Sequence, residues 1–275
     1  MAIDIFLTAK KNVSSHQTAF EELLRRVDGV EADAIRRFAE VVRANGKLSI
    51  NMRLWVTANF LCRQPYENIY EFGARMSKLS SRIQDDIFKE KLGSYYRRRI
   101  AFDDLLVDGR GLQYAALNIG GMGPSRYGEF CVVFRPEART GGRRVVYLKA
   151  DSLNDYTSDA GDVHVARVRE DLAAEESKHH LAALKHSDMI AHRADAEWCN
   201  MLCCDTAYIE ALCAGRIELE DVAELRVAAG ELARLWGLAF EDFSRRLAPG
   251  ERAMANDFVQ LLDAAGARGM PVQGV

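Results

Sequence analysis

The sequence predicts an α+β protein: a helical N-terminal region, then a small mixed or antiparallel sheet with a helical insert and a helical C-terminus. Three observations predict it. Apolar residues recur at helical spacing through the first hundred positions. Between Asp108 and Lys149 the composition turns to glycine and β-formers. A late apolar segment around Glu210 then alternates with period two before helical spacing resumes. These divide the chain into a helical region, 1–106, and an α+β region, 107–275. No clean linker separates them, so one continuous domain is equally open.

The first helix runs from a Ser14 or Ser15 cap to Arg26, with Phe20, Leu23, Leu24 and Val27 on one face, and Asp28-Gly29 ends it. A second spans about Glu31 to Ala44, where Ile35, Phe38, Ala39 and Val42 recur and Asn45-Gly46 supplies the stop. Met52 to Cys62 is a third apolar segment, broken at Gln64-Pro65 because proline lacks an amide donor and restricts its predecessor. A fourth helix covers Tyr66 to Lys78 and a fifth Ser80 to Leu106, making the first hundred residues all helix. Three strand segments follow, LQYAALNI, EFCVVF and RRVVYLK. The turn RPEARTGG, with Pro136 and Gly141-Gly142, suits a hairpin between the last two. Gly161 to Asn200 returns to helix. The stretch TAYIEALCAGRIELEDV reads as a strand around Glu210, on Tyr208, Ile209 and Leu212, with Gly215 turning the chain; a short helix over Asp205 to Cys213 suits Ala207, Ala211 and Leu212 as well. Helix is expected again from beyond Leu219 to Leu247 and, after Pro249-Gly250, to Ala265, with a frayed tail GARGMPVQGV.

At 275 residues, 48% of them hydrophobic, the chain can bury a sizeable core. Its 37 basic and 40 acidic residues give a net charge of −3, which excludes the overall basic field of a general nucleic-acid binder. MAIDIFLTAKKNVSS has too short an apolar run, and no basic segment ahead of it, for a Sec-type signal. No stretch reaches the ~18 apolar residues of a membrane span. Six scattered cysteines point to thiols in a reducing cytoplasm, and export that reads no cleavable signal stays open.

Several clusters could carry chemistry. Gly120-Gly121-Met122-Gly123-Pro124 would let a ligand approach the backbone, although it matches no phosphate-binding fingerprint; a mobile hairpin loop explains it equally. His179, His180, His186 and His192, with Cys199, Cys203 and Cys204, invite a metal, yet neither C-x-x-C nor H-E-x-x-H is present, and no metal site is predicted. Arg97-Arg98-Arg99 and Arg143-Arg144 could meet phosphates or simply face solvent.

The helix-rich N-terminus, YAALN, RYGEFCVVF, LKADSL and YIEALCAGRIELEDV, taken together over about Arg99 to Val227, resemble the ADP-ribosyltransferase superfamily, particularly its divergent bacterial, toxin-like members. The resemblance implies an ADP-ribosyltransferase-like region over 107–275. It also implies that NAD is consumed as a substrate, nicotinamide is released and ADP-ribose passes to a protein, nucleic-acid or small-molecule acceptor, or to water. By the same resemblance Glu210 is the catalytic carboxylate. Tyr114, Asn118, Gly121, Tyr127, Ser152 and Arg99 are the expected NAD-binding residues, with Arg99 and Tyr114 competing for the first-strand position. The chain departs from the arginine-modifying branch in carrying Tyr208 where that branch has a second glutamate, and Asp151-Ser152-Leu153 in place of S-T-S, which argues against arginine as acceptor. The chemistry suits these residue types: a carboxylate at the ribose stabilises an oxocarbenium-like state, and aromatic rings hold the nicotinamide. Two other functions fit the residues: a non-catalytic helical binding or regulatory protein using Trp55, Phe60 and Tyr66, and a metal-dependent nucleic-acid enzyme using the histidines and cysteines.

Overall fold

The computed structural model describes residues 2–62, 65–136, 144–241 and 247–275. In chain order the strands are β1 (Lys47–Met52), β2 (Gln113–Asn118), β3 (Phe130–Phe134), β4 (Arg144–Leu148), β5 (Leu172–Ala174), β6 (Glu210–Ala214), β7 (Val222–Val227) and β8 (Val272–Gly274). They form one eight-stranded sheet in the order β5-β4-β6-β2-β1-β3-β7-β8. Neighbours are antiparallel apart from the parallel pair β7 and β8. The sheet is thus mixed, as expected, but not small.

The helices are α1 (Ile5–Lys11), α2 (Val13–Arg26), α3 (Gly29–Asn45), α4 (Leu54–Leu61), α5 (Ile69–Ser80), α6 (Gln84–Leu92), α7 (Tyr96–Leu105), α8 (Val165–Glu170), α9 (Lys178–Ile190), α10 (Trp198–Leu202), α11 (Ala229–Trp236) and α12 (Pro249–Gly266). Local chemistry sets several of their ends. Asp28 accepts from the Glu31 amide at 2.9 Å and starts α3. Asn68 and Glu71 form a reciprocal capping box on α5. At α2 the cap position falls on Asn12, not on Ser14 or Ser15. The Asn12 amide instead donates to the carbonyls of Arg169 and Leu172, tying the N-terminus to the β5 edge.

Tertiary pairing overrules local propensity in several places. The first hundred residues are not all helix: KLSINM forms β1, which pairs with β2 on one side and β3 on the other. Residues 1–106 and 107–275 therefore share one sheet. The segment expected as one helix from Ser80 to Leu106 is two, α6 and α7, because Gly93 takes φ +54 between them. β3 and β4 do not form a hairpin with each other: β3 pairs with β1 and β7, and β4 with β5 and β6. The turn itself, with Gly141-Gly142, lies outside the described residues. The helix expected over Gly161 to Asn200 is broken into α8, β5, α9 and α10. VAELRV is a strand, not the start of a helix, because β3 offers it an open edge. The tail does not fray: Val272 to Gly274 pairs with β7 as β8.

Alternation of side chains gives the sheet two unlike faces. One carries Leu48, Ile50, Ala115, Leu117, Val132, Phe134, Tyr147, Ala211 and Leu225. It packs against α3, α4, α9, α10 and α12 in a core with Phe38, Phe60, Leu181, Trp198 and Phe258. On the other face, α1, α7 and α8 cover the β4, β5 and β6 end through Ile5, Phe102, Val168, Val146, Leu148 and Leu212. The middle of that second face is polar. Ser49, Asn51, Asn118 and Glu210 point there, and all four are buried.

Candidate functional site

Glu210 opens β6 opposite Ala116 of β2 and Leu148 of β4. The period-2 pleat turns Glu210 to the polar face while Ile209 and Ala211 enter the main core. Around it lies a cavity of about 370 Å³ lined by Tyr70, Tyr114, Tyr127, Tyr208, Arg99, Asp103 and Asp151 among others. Its size is that of a small-molecule site, and aromatic rings and convergent polar groups line it together.

Two charged clusters frame the carboxylate. On one side Asp103 of α7, almost wholly buried, accepts from Arg99 at 2.6 Å, Tyr114 Oη at 2.5 Å and Tyr70 Oη at 2.7 Å. Arg99 and Asp103 sit four apart on α7, which puts them on one helix face. The Arg99 guanidinium also stacks 3.9 Å from the centre of the Tyr114 ring. On the other side Asp151, just past β4, accepts from Tyr127 Oη and Tyr208 Oη, each at 2.7 Å, from the amides of Leu153 and Asn154, and from Arg126. Burial works to raise the Asp151 pKa, but these donors hold it below the ordinary carboxylate value. The Tyr208 phenol is driven far above its usual range by burial and by the charges of Glu210 and Asp151, so it stays a donor.

Glu210 differs from both aspartates. It accepts a hydrogen bond from the Ser152 amide at 3.0 Å. Among the described residues it has no ion-pair partner. Burial, reinforced by the charge of Asp151, pushes its pKa up to about 8, against the opposing pull of Arg99 and Ser152. Glu210 is therefore mostly protonated at neutral pH. Among the described residues Arg99 balances Asp103, Arg126 balances Asp151, Arg75 balances Glu67, and Glu210 has no cation of its own.

Lysine clamps the strand from behind. Lys185 of α9 donates to the carbonyls of Lys149 and Tyr208, both at 2.6 Å, joining the ends of β4 and β6 where Asp151 and Glu210 emerge. Burial lowers its pKa to about 8.

The residues expected from the sequence divide in two. Glu210, Tyr114, Tyr127 and Arg99 meet at this one cavity, and Ser152 touches Glu210 through its amide. The Ser152 hydroxyl is buried without a hydrogen-bond partner beside it. Asn118 and Gly121 lie outside the cavity wall. Asn118 donates to Ser49 Oγ at 3.1 Å and to the Gly121 carbonyl at 2.9 Å, and accepts from the Gly120 amide at 2.8 Å, so its amide group holds the glycine loop in shape. Gly121 packs on Cys199, whose carbonyl would lie 2.7 Å from an added Cβ. The glycines of this loop thus serve contact with protein, not access for a ligand. Arg99 is a buried, paired group and does not offer itself to a phosphate.

Sequence reading missed Asp103, Tyr70, Arg126 and the part played by Asp151. Only the i, i+4 spacing of Arg99 and Asp103 was visible in advance; the others arrive from separate elements. The histidines and cysteines do not assemble. His186 is fully buried with neither ring nitrogen hydrogen-bonded, and burial pushes its pKa down to about 3. Among the described residues no group of three His, Cys, Asp or Glu side chains could hold a metal. None of the six cysteines is disulfide-bonded, and among the described residues no helix is long and apolar enough to cross a membrane. In sequence, no family model and no curated protein matches the chain.

Proposed function

We propose that the protein consumes NAD, breaking the bond between nicotinamide and ribose and passing ADP-ribose to an acceptor, with Glu210 as the catalytic carboxylate. The observation that carries this reading is the missing cation. Glu210 is a buried carboxylate with a pKa of about 8, in an aromatic-walled cavity whose three other carboxylates, Glu67, Asp103 and Asp151, are already matched by arginines. A ligand bearing a positive charge on a flat ring supplies what the cavity lacks, and the pyridinium of NAD is such a ring.

The residues would act as follows. Tyr114, Tyr127 and Tyr208 present rings and fixed hydroxyls to the nicotinamide and the ribose. Arrival of the pyridinium favours the ionised form of Glu210, which gives up its proton. The glycosidic electron pair leaves with nicotinamide, now neutral, and the Glu210 carboxylate stabilises positive charge growing at the ribose. The acceptor attacks the same carbon and loses its proton, which Glu210 takes back. Asp103 and Asp151 have no part in proton transfer. Each is saturated with donors and fixes the tyrosines around Glu210.

The test is incubation of the full chain with labelled NAD and measurement of free nicotinamide, alongside Glu210→Gln. Glutamine keeps the shape and cannot carry the charge, so release is expected to fall by about 100-fold or more. Equal release by both proteins, or none from the unsubstituted chain with a range of acceptors present, overturns the assignment.

A further inference from the structure

A second cavity, of about 280 Å³, adjoins the first. The two share the wall made by Tyr66, Glu67 and Ile69. Trp55 stands at its edge, half exposed on α4. Phe60 and Tyr66 lie edge to face within it, and Phe72 of α5 lies under the Lys91 ammonium. Its charges contrast with those around Glu210. Arg75 is held by both oxygens of Glu67 at 2.7–3.0 Å, a neutral pair. Lys91 has no ion-pair partner among the described residues and leaves the rim one positive charge in excess.

We infer that this second cavity is a binding site for the adenine nucleotide end of the same ligand, with Trp55 stacking on the base and Lys91 meeting phosphate. Two adjoining cavities are involved, one short of a cation and the other with a cation to spare. That polarity fits a molecule with a cationic ring at one end and an aromatic base joined to phosphates at the other. Tryptophan is suited to the task because every base offers a π face, and stacking needs no hydrogen-bond code. A lysine on a flexible stem can follow a phosphate without a preformed fork.

The assignment rests on the NAD-cleaving role proposed above, and its test separates the two. AMP and nicotinamide are titrated separately into the full chain, with heat as the readout, for the unsubstituted protein, Trp55→Ala, Lys91→Glu and Glu210→Gln. AMP is expected to bind, at least about tenfold more weakly after Trp55→Ala and after Lys91→Glu, and unchanged after Glu210→Gln. Trp55→Phe keeps a ring and should recover most of the affinity, which guards against loss of folding in the alanine variant. Nicotinamide binding should be indifferent to Trp55 and Lys91. In turnover, Trp55→Ala should raise KM for NAD and leave kcat alone. No AMP binding, or AMP binding insensitive to Trp55 and Lys91, overturns the second site while nicotinamide release continues to stand for the first. AMP binding with the expected losses but no nicotinamide release removes the catalytic reading and keeps the nucleotide site.

Discussion

The two faces of the central sheet are built from the same strands and solve opposite problems. On one, β1, β2, β3 and β6 contribute Leu48, Leu117, Val132 and Ala211 to a continuous apolar core under five helices. There the structure gains from close packing of side chains that are mostly apolar. On the other, the intervening residues Ser49, Tyr114, Cys131 and Glu210 meet a sparse cover, and burial is tolerated only where donors and acceptors have been matched. Asp103 and Asp151 are matched several times over. Glu210, in the middle, is not. A fold that fills one face so completely and leaves a strongly perturbed carboxylate on the other is spending stability at a site, which is the usual sign of function.

Substitutions on the two faces should therefore move stability and activity in different directions. The largest effect is expected on the packed face. Phe38 of α3 is fully buried, edge to face with Trp198 at 5.4 Å. Phe38→Ala should cost about 3–5 kcal/mol in denaturant unfolding, with activity per folded molecule unchanged. A loss below ~1 kcal/mol would show that this core is loosely packed.

On the polar face Glu210→Gln should do the reverse and stabilise the protein while abolishing turnover. The Glu210 pKa is raised on folding from 4.5 to about 8. Between those values the folded state holds a proton that the unfolded state has lost, so stability falls as pH rises through the window. At pH 8 glutamine should recover as much as ~4 kcal/mol, and at pH 4 almost nothing. A pH-independent difference between the two proteins would mean that Glu210 is not the perturbed group.

Asp103→Asn is expected to be smaller, about 2–3 kcal/mol, and destabilising, since it leaves the buried Arg99 charge and two tyrosine hydroxyls short of their acceptor. Its activity should fall through misplacement of Tyr114, with a raised KM for NAD. On the packed face the pH-resolved test is His186, whose folded pKa of about 3 lies below the ordinary 6.5. The unfolded chain takes up a proton in that window and the folded chain does not, so stability is lost as pH falls from 6.5 toward 3. His186→Leu should remove about 1.4 kcal/mol per pH unit of that slope. An unchanged slope between pH 6 and 4 would assign the acid sensitivity to another group.

Much of this architecture is legible in the sequence. The helices at Gly29–Asn45 and Pro249–Gly266 follow from apolar spacing, caps and proline placement, the strands at 130–134 and 144–148 from β-branched and aromatic runs, that at 113–118 from its place in a glycine- and β-former-rich stretch, and that at 210–214 from the alternation around Tyr208, Ile209 and Leu212. What is not legible depends on partners distant in the chain. KLSINM alternates plainly, yet it is short and sits between strong helices; only β2 and β3 on either side make it the centre of the sheet. VAELRV consists largely of residues at home in helices and becomes a strand because the β3 edge needs a partner. The same limit governs the site. Glu210, Tyr114 and Tyr127 stand out within their own segments. Asp103 looks like an ordinary helix-surface carboxylate until Tyr70 and Tyr114 close on it, and Asp151 looks like a turn residue until Arg126, Tyr127 and Tyr208 arrive.

The most direct measurement of the central claim, that Glu210 awaits a cation, is proton release on binding. NAD is titrated into the protein at pH 7 by calorimetry in two buffers of different ionisation enthalpy, before turnover accumulates. The unsubstituted protein should release close to one proton per NAD bound, as Glu210 passes from its protonated to its ionised form, and Glu210→Gln should release none. Binding of NAD with no proton release from the unsubstituted protein would contradict the account.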